Sequence, residues 1–299
     1  NRKISAETED QIIQNVQSEM RHHDAKKIDV IIGGPPCQAY SVIGRSRDPG
    51  KMKHDQRNYL YIHYLEFIRK FTPEIFLFEN VPGIISARNG EIFSDLKRRI
   101  DDLGYFIESS PRMLNARHFG VLQNRSRIIL IGWKKEHDLQ YPEFPNISSK
   151  YKVFDILNDL PALEPEMGSD GPQNYRVGRP SKYLREFRIR TDEKCVRNHI
   201  AKATNERDRE IYRIAIKKWT DTGRRLKYSE LPENLKTHNN QSSFLDRFKV
   251  VDGNGLSHSI VAHLAKDGHY YIHPALEQAR SLTVREAARI QSFPDNYIF

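Results

Sequence analysis

Two short apolar runs, each stopped by residues that do not extend a strand, constrain the fold of this chain most. Asp29-Val30-Ile31-Ile32 runs into Gly33-Gly34, and Glu74-Ile75-Phe76-Leu77-Phe78 runs into Glu79-Asn80-Val81-Pro82-Gly83. Short unbroken apolar runs bounded in this way read as buried parallel strands. Between and after them the period changes. Residues 59–69 place Leu60, Tyr61, Tyr64, Leu65 and Ile68 on one helical face. Residues 91–103 set Phe93, Leu96, Ile100 and Leu103 at helical spacing, with Gly104 as a C-terminal stop. Residues 105–107 and 127–133 follow as strands. Strands separated by helices predict the α/β class, with a mostly parallel, doubly wound sheet. Ligands of such sheets sit beyond the carboxyl ends of the strands, which is where Cys37 and Glu79 fall.

From residue 141 the alternation is lost. Pro, Gly and Asn become frequent, residues 161–172 are rich in turn formers, and residues 183–190 alternate basic with apolar side chains. Residues 204–219 read as one basic helix. Order returns at Thr283-Val284-Arg285-Glu286, a capping box in which Thr283 and Glu286 satisfy free N–H groups at a helix start. That helix runs through Gln291 and stops before Pro294. The expected organisation is a catalytic domain over 1–148 and a smaller, irregular domain over 149–250. A return segment over 251–299 completes the catalytic or small domain.

Lys and Arg outnumber Asp and Glu by 48 to 39, a net charge of +9 that suits a polyanionic partner. A hydrophobic fraction of 38% with 10% aromatics excludes a disordered chain. No apolar run approaches the ~18 residues needed to span a bilayer, and no charged-then-apolar leader opens the chain. A cytoplasmic protein with no membrane partner is therefore expected. The two cysteines, Cys37 and Cys195, cannot build a disulfide framework or a local metal site. No metal is expected, and a reducing compartment leaves a thiol free for chemistry.

Three segments carry chemistry. Pro35 and Pro36 fix the backbone just after the first strand and hold the Cys37 thiol at the sheet's edge. An isolated Cys is more often a buried structural residue, but prolines and glycines guard a site more often than they fill a core. Glu79 follows its apolar strand directly, so a partly desolvated cleft is expected to make its carboxyl a usable proton donor near neutral pH. In Gln123-Asn124-Arg125-Ser126-Arg127, alternate residues of a strand would project Arg125 and Arg127 together.

These segments resemble the cytosine-C5 DNA methyltransferase family, of the bacterial restriction-modification type. The matching signatures are Gly33-Gly-Pro-Pro-Cys-Gln-Ala-Tyr-Ser41, Glu79-Asn-Val81, Gln123-x-Arg-x-Arg127 and the stretch from Arg280 through Asp295. They stand in the family's order across most of the chain. The resemblance implies a Rossmann-like S-adenosylmethionine-dependent methyltransferase sheet, with 149–250 as target-recognition domain. It also implies a mechanism. The Cys37 thiolate adds to C6 of a cytosine flipped out of double-stranded DNA, while Glu79 acts at N3. C5 then attacks the methyl of S-adenosylmethionine, and loss of the C5 proton expels Cys37. Arg127 would contact the base's O2 and Arg125 would hold the local architecture. The segment 41–56 would be a cationic lid, with Gln38 and Ser41 near the flipped nucleotide and Arg57 on a phosphate. Basic clusters at 176–190 and 213–227 are the candidates for further DNA contacts, most of them to phosphates.

The sequence departs from the family at both ends. No Gly-rich loop with its ribose-binding acid precedes residue 29, and the family's final Asn-containing segment lies beyond Phe299. The expectation is a chain truncated at both ends, with the N-terminal part of the sheet missing. Only Pro36 and Leu60 carry over as cofactor-side positions, so the S-adenosylmethionine site is expected to be incomplete and residues 1–299 alone to transfer methyl groups weakly or not at all. A monomer is expected, with a cognate restriction endonuclease as functional partner. The competing expectations are a catalytically silent DNA-binding module with this fold, or an RNA cytosine-C5 methyltransferase. A cysteine hydrolase pairing Cys37 with His118 or His263 has no local support.

Overall fold

The computed structural model describes residues 6–36, 59–147, 150–237 and 247–299. The chain divides into two compact units, Asn1–Asn115 with Ser126–Phe144, and Ala116–Arg125 with Pro145–Phe299.

The first unit contains helices α1 (Ala6–His22), α2 (Leu60–Phe71) and α3 (Glu91–Asp102), with strands β1 (Val30–Gly33), β2 (Ile75–Asn80), β3 (Tyr105–Ile107), β4 (Arg112–Asn115) and β5 (Ser126–Lys134). The sheet order is β1-β2-β5-β3, with β4 also paired to β5. Here the structure corrects the mostly parallel sheet that the sequence predicts. Among the described strands of this sheet only β1 and β2 run parallel, from Val30 opposite Ile75 to Gly33 opposite Phe78, while β5 is antiparallel to β2, β3 and β4. The connections explain the difference. A parallel neighbour needs a long crossover, which α2 supplies between β1 and β2. In contrast, β3 and β4 lie along one edge of β5 as an interrupted strand, and the chain turns back from Asn115 to Ser126, so the pairing is that of a long hairpin.

Both helices read from periodicity are present. From α2, Tyr61, Tyr64, Leu65 and Ile68 bury against Phe76 and Phe78 of β2 and Ile128 and Leu130 of β5, joined by Ile92, Phe93, Leu96 and Ile100 of α3. Gly104 takes φ +84 just past α3, a conformation open to glycine without penalty. The strands are less buried than their apolar runs imply. Phe76, Phe78 and Asn80 are buried, whereas Ile75, Leu77 and Glu79 alternate with them as half-buried, and Ile32 of β1 is 74% exposed. One sheet face therefore carries the core of this unit. Helix α1 is an element that the sequence reading did not anticipate. Its Ile12, Ile13, Val16 and Met20 recur at helical spacing, and Glu9 reaches His63 of α2 at 2.5 Å.

The second unit is built differently. Its strands are two-residue ladders: Gly168–Ser169 with His199–Ile200, Gln173–Asn174 with Cys195–Val196, and Gln123–Asn124 with Ser257–His258. Its helices are α4 (Lys182–Glu186), α5 (Glu206–Thr222) and α6 (Val284–Ile290). Asn205 caps α5, which ends on Gly223 at φ +64. The capping box of α6 is as read: the Glu286 backbone N–H donates to Thr283 Oγ1 at 3.2 Å, and the Thr283 N–H donates to Glu286 Oε2 at 2.8 Å. With so little sheet, buried arginines take over the cross-linking. Arg280 donates to Glu286, Gln278 and the Leu163 carbonyl. Arg285 donates to the carbonyls of Arg197, Pro294 and Tyr297, and Arg289 joins Asp159 to Asp295. All three arginines are fully buried. A buried polar group of this kind is tolerated only when its hydrogen bonds are satisfied, and here each guanidinium has partners from several segments.

Candidate active site

The ends of three strands meet at one edge of the first unit's sheet. Because β1 and β2 are parallel, Gly33 and Asn80 lie at the same edge. Because β5 is antiparallel, that edge receives its N-terminal end, Ser126 and Arg127. The register sets Glu79 opposite Ile129 and Asn80 opposite Ile128. Side chains alternate across a strand, so Glu79, Ile129 and Arg127 share one face, with Arg127 diagonal to Glu79. Arg127 Nε lies 2.7 Å from Glu79 Oε1, and the side chains remain 19% and 37% exposed. Arg127 Nη1 also donates to the Ser126 carbonyl at 2.8 Å. The start of β5 is held in turn by Asn115 Nδ2 donating to Ser126 Oγ at 3.0 Å.

The neighbouring residue Asn80 faces the other way and does structural work that its place in the motif does not announce. It is 1% exposed. Its Nδ2 donates to the Pro35 carbonyl at 3.2 Å, and its Oδ1 accepts from the Val81 backbone N–H at 2.9 Å. One side chain thus ties the end of β1 to the turn after β2. Close approach requires glycine at Gly33 and leaves little room at Gly34. A Cβ on Gly33 would stand 2.4 Å from the Tyr64 ring, and one on Gly34 would stand 2.9 Å from Glu79 Oε2. Tyr64 is itself fixed by donating its hydroxyl to the Leu77 carbonyl at 2.9 Å, and burial holds its phenol well above the ordinary range. The signal for Asn80 and Tyr64 in the sequence was a polar atom amid apolar neighbours. The partners themselves follow only from the pairing of strands.

Of the residues singled out from sequence, the structure brings Glu79 and Arg127 together. Glu79 is half-buried there, with over a third of its side chain in solvent. Arg125 corrects a second expectation. Strand β5 begins at Ser126, so Arg125 and Arg127 are not alternate residues of one strand. Arg125 falls in the second unit, where its Nη1 reaches the Ile260 carbonyl at 3.3 Å. The Arg125 N–H donates to the Gln123 carbonyl at 3.1 Å, a local turn that breaks the strand between the two arginines. Pro36 is exposed beyond β1, and Leu60 is half-buried at the first turn of α2. Cys37, Gln38, Ser41 and Arg57 lie outside the described residues, as does the proposed lid at 41–56.

Glu74, Glu136 and His137 have ligand atoms close enough to share an ion, but Glu74 precedes β2, at the far end of the strand from Glu79. His137, Lys134 and Lys27 already donate to it, and these bonds hold its carboxyl down to about 2. For S-adenosylmethionine, Pro36 and Leu60 offer apolar surface only. The buried side-chain atoms left without a partner among the described residues are on Arg190, Arg209 and Ser292, all in the second unit. Among the described residues, too, no helix is long and apolar enough to cross a membrane.

Comparison with known proteins bears on the family and the fold. Residues 2–299 match the family described as C-5 cytosine-specific DNA methylase. The chain is 44% identical to the Type II methyltransferase M.Bpa9945I of Bacillus paralicheniformis, over 99% of this chain and 69% of that protein. It is 29% identical to the Type II methyltransferase M.XorII of Xanthomonas oryzae pv. oryzae, over 92% of this chain and 62% of that protein. The chain therefore spans about two thirds of the length of these relatives. Among solved structures, a prophage-encoded E. coli protein described as a DNA modification methyltransferase superposes with a TM-score of 0.62 at 24% identity, covering 98% of this chain and 74% of that one. At that identity the likeness speaks for the fold, a Rossmann-like methyltransferase sheet.

Proposed function

Because the chain belongs to the C-5 cytosine-specific DNA methylase family, we propose that it carries the cytosine-activating half of a DNA (cytosine-5-)-methyltransferase, acting on a base flipped out of duplex DNA. The observation that carries the reading is the Glu79–Arg127 pair at the sheet edge, beside a Gly-Gly-Pro-Pro segment whose Pro35 carbonyl Asn80 holds. Cytosine C5 is a poor nucleophile until C6 has been attacked. The Cys37 thiolate forms a bond to C6, the electrons of the C5–C6 double bond move toward the ring's N3 side, and Glu79 supplies or shares a proton at N3. The resulting enamine is nucleophilic at C5. S-adenosylmethionine, the cofactor expected of this family, supplies the methyl group. Removal of the C5 proton then re-forms the double bond and breaks the bond to Cys37. Arg127 keeps the Glu79 carboxylate aimed and offers donors for the base's O2, a preorganised arrangement that needs no rearrangement during reaction. Gln38, Ser41 and Arg57 would bind the flipped nucleotide and its phosphate, Pro36 and Leu60 would border the cofactor, and Arg125 would support the second unit. That unit, with residues 149–250 at its centre, would serve target recognition. A cytoplasmic bacterial protein working as a monomer beside a cognate restriction endonuclease suits relatives that are Type II methyltransferases.

The test is trapping by the full-length protein on duplex DNA containing 5-fluorocytosine, with methyl donor present, because the fluorine cannot leave as a proton does. A denaturation-resistant adduct on the peptide bearing Cys37, lost in Cys37→Ser, is expected. An adduct on Cys195, or none, defeats the mechanism. Trapping by an RNA of the same sequence in place of the duplex would move the substrate from DNA to RNA.

A further inference from the structure

We propose that the excursion over residues 175–194 reads base edges of the DNA, through Arg176 and Arg179 with Val177 between them. The proposal rests on the DNA methyltransferase reading above. The excursion leaves and re-enters the second unit through one short ladder, in which Gln173 lies opposite Val196 and Asn174 opposite Cys195. A loop closed by two residue pairs and containing Gly178 would ordinarily sample many conformations. Here it is fastened from beneath. Arg190, 3% exposed, donates Nη1 to the Val177 carbonyl at 2.9 Å and Nη2 to the Gly178 carbonyl at 2.8 Å. The same guanidinium reaches Asp159 Oδ2 at 2.7 Å and lies 3.4 Å over the Tyr175 ring. Tyr175 donates its hydroxyl to Asp295 at 2.8 Å, and the Arg176 N–H donates to the Asp159 carbonyl at 2.9 Å.

Two consecutive carbonyls are thereby engaged by a buried cation, and the side chains between Tyr175 and Pro180 are left in solvent. Arg176 and Arg179 are exposed, and Val177 is 46% exposed. A loop ordered before binding loses less entropy on the DNA. Its side chains also suit the task. An arginine fork matches O6 and N7 of guanine in the major groove, and a small apolar side chain fits the thymine methyl. Behind the tip, Lys182, Arg185 and Arg188 are exposed cations suited to phosphates. None of these five cations has an acidic partner among the described residues.

In the other basic cluster, two cations are committed elsewhere. On α5, Arg213 pairs with Glu206 at 2.8 Å and Lys218 with Glu230 at 2.5 Å. A cation already paired has less to offer a phosphate or a base. That difference selects the excursion over α5.

The experiment uses the full-length protein with Arg176→Ala, Arg179→Ala and, for contrast, Arg213→Ala. A randomised duplex library first yields the preferred site. Methylation and binding are then compared between that site and duplexes altered at one base pair, across a range of salt concentration. At least one of the two excursion variants should lose discrimination at one base pair by about 10- to 100-fold, while Arg213→Ala leaves discrimination unchanged. Equal weakening on preferred and altered duplexes, with a shallower salt dependence, would make both arginines phosphate contacts and overturn the proposal. So would a loss of discrimination confined to Arg213→Ala. Failure of the unaltered protein to select any site or methylate DNA would instead sink the function on which the proposal stands.

Discussion

Arg127 meets Glu79 where the two side chains keep 19% and 37% of their surface in solvent, whereas Arg280 and Arg289 meet Glu286, Asp159 and Asp295 with between 0% and 7% exposed. The first unit thus carries an accessible arginine–carboxylate pair at a sheet edge, and the second a sealed lattice of them. The contrast follows from how each unit is held together. In the first, a five-stranded sheet and two helices bury aromatic and aliphatic side chains, so the ion pair is free of structural duty. In the second, two-residue ladders cannot fasten long irregular segments, and guanidinium groups with several donors do so instead. An exposed pair contributes about 0–1 kcal/mol to stability, whereas breaking a buried pair leaves a charge stranded and costs about 3–5 kcal/mol.

The comparison can be broken most decisively at Glu79. In the full-length protein Glu79→Gln should lower methyl incorporation by about 100-fold or more, the usual contribution of a positioned acid, with an unchanged unfolding midpoint. A large loss of stability would put Glu79 among the structural pairs. The reverse pattern is expected of Arg289→Met. It should remove about 3–5 kcal/mol from the second unit, read as a lowered denaturant midpoint, and a loss below about 1 kcal/mol would show that the lattice is dispensable.

Acid separates the units next. Burial pushes the imidazoles of His258 and His273 down to about 4, and those of His199 and His269 down as well; all four lie in the second unit. The folded state then binds fewer protons than the unfolded chain, whose histidines titrate near 6.5, so stability falls as pH drops from 6.5 toward 4. The loss is on the order of 3 kcal/mol for each of His258 and His273. Buried Glu286 overcomes the cost of burial because Arg280 holds its carboxyl low, so its contribution persists through this window and fails only as pH falls below the carboxylate range. The two tryptophans, Trp133 and Trp219, fall one in each unit. With single-tryptophan variants, fluorescence should report Trp219 unfolding at a higher pH than Trp133, and simultaneous transitions would refute the assignment. The smallest effect is expected from Thr283→Ala. Loss of the α6 cap should cost about 1–2 kcal/mol in the same unfolding experiment, and a neutral result would mean that Glu286 holds the helix start alone.

Much of the first unit was legible because its signals are local. The periodic apolar faces of α2 and α3 and the stop at Gly104 lie within a few residues of the structure they specify, as in the second unit does the box at Thr283 and Glu286. Helix α1 was equally local in its spacing of Ile12, Val16 and Met20, and was passed over. The parallel sheet was misjudged because an apolar run carries no direction. Strand polarity depends on the connection, and the return from Asn115 to Ser126 is a hairpin. Arg125 and Arg127 looked like one projecting pair because the turn at Gln123 that parts them is set by a hydrogen bond.

The candidate thiol, carboxyl and guanidinium were thus specified by the sequence alone, as residue types in a family's order, since chemistry depends on which groups are present. Only the tertiary structure decided which of them meet. Glu79 reaches Arg127 because Asn80 pairs with Ile128 across an antiparallel register, and Arg190 underlies Val177 and Gly178 because Asp159 and Tyr175 converge there. Those partners stand from about one dozen to several dozen residues apart along the chain, and no local propensity brings them together. Packing and strand register do.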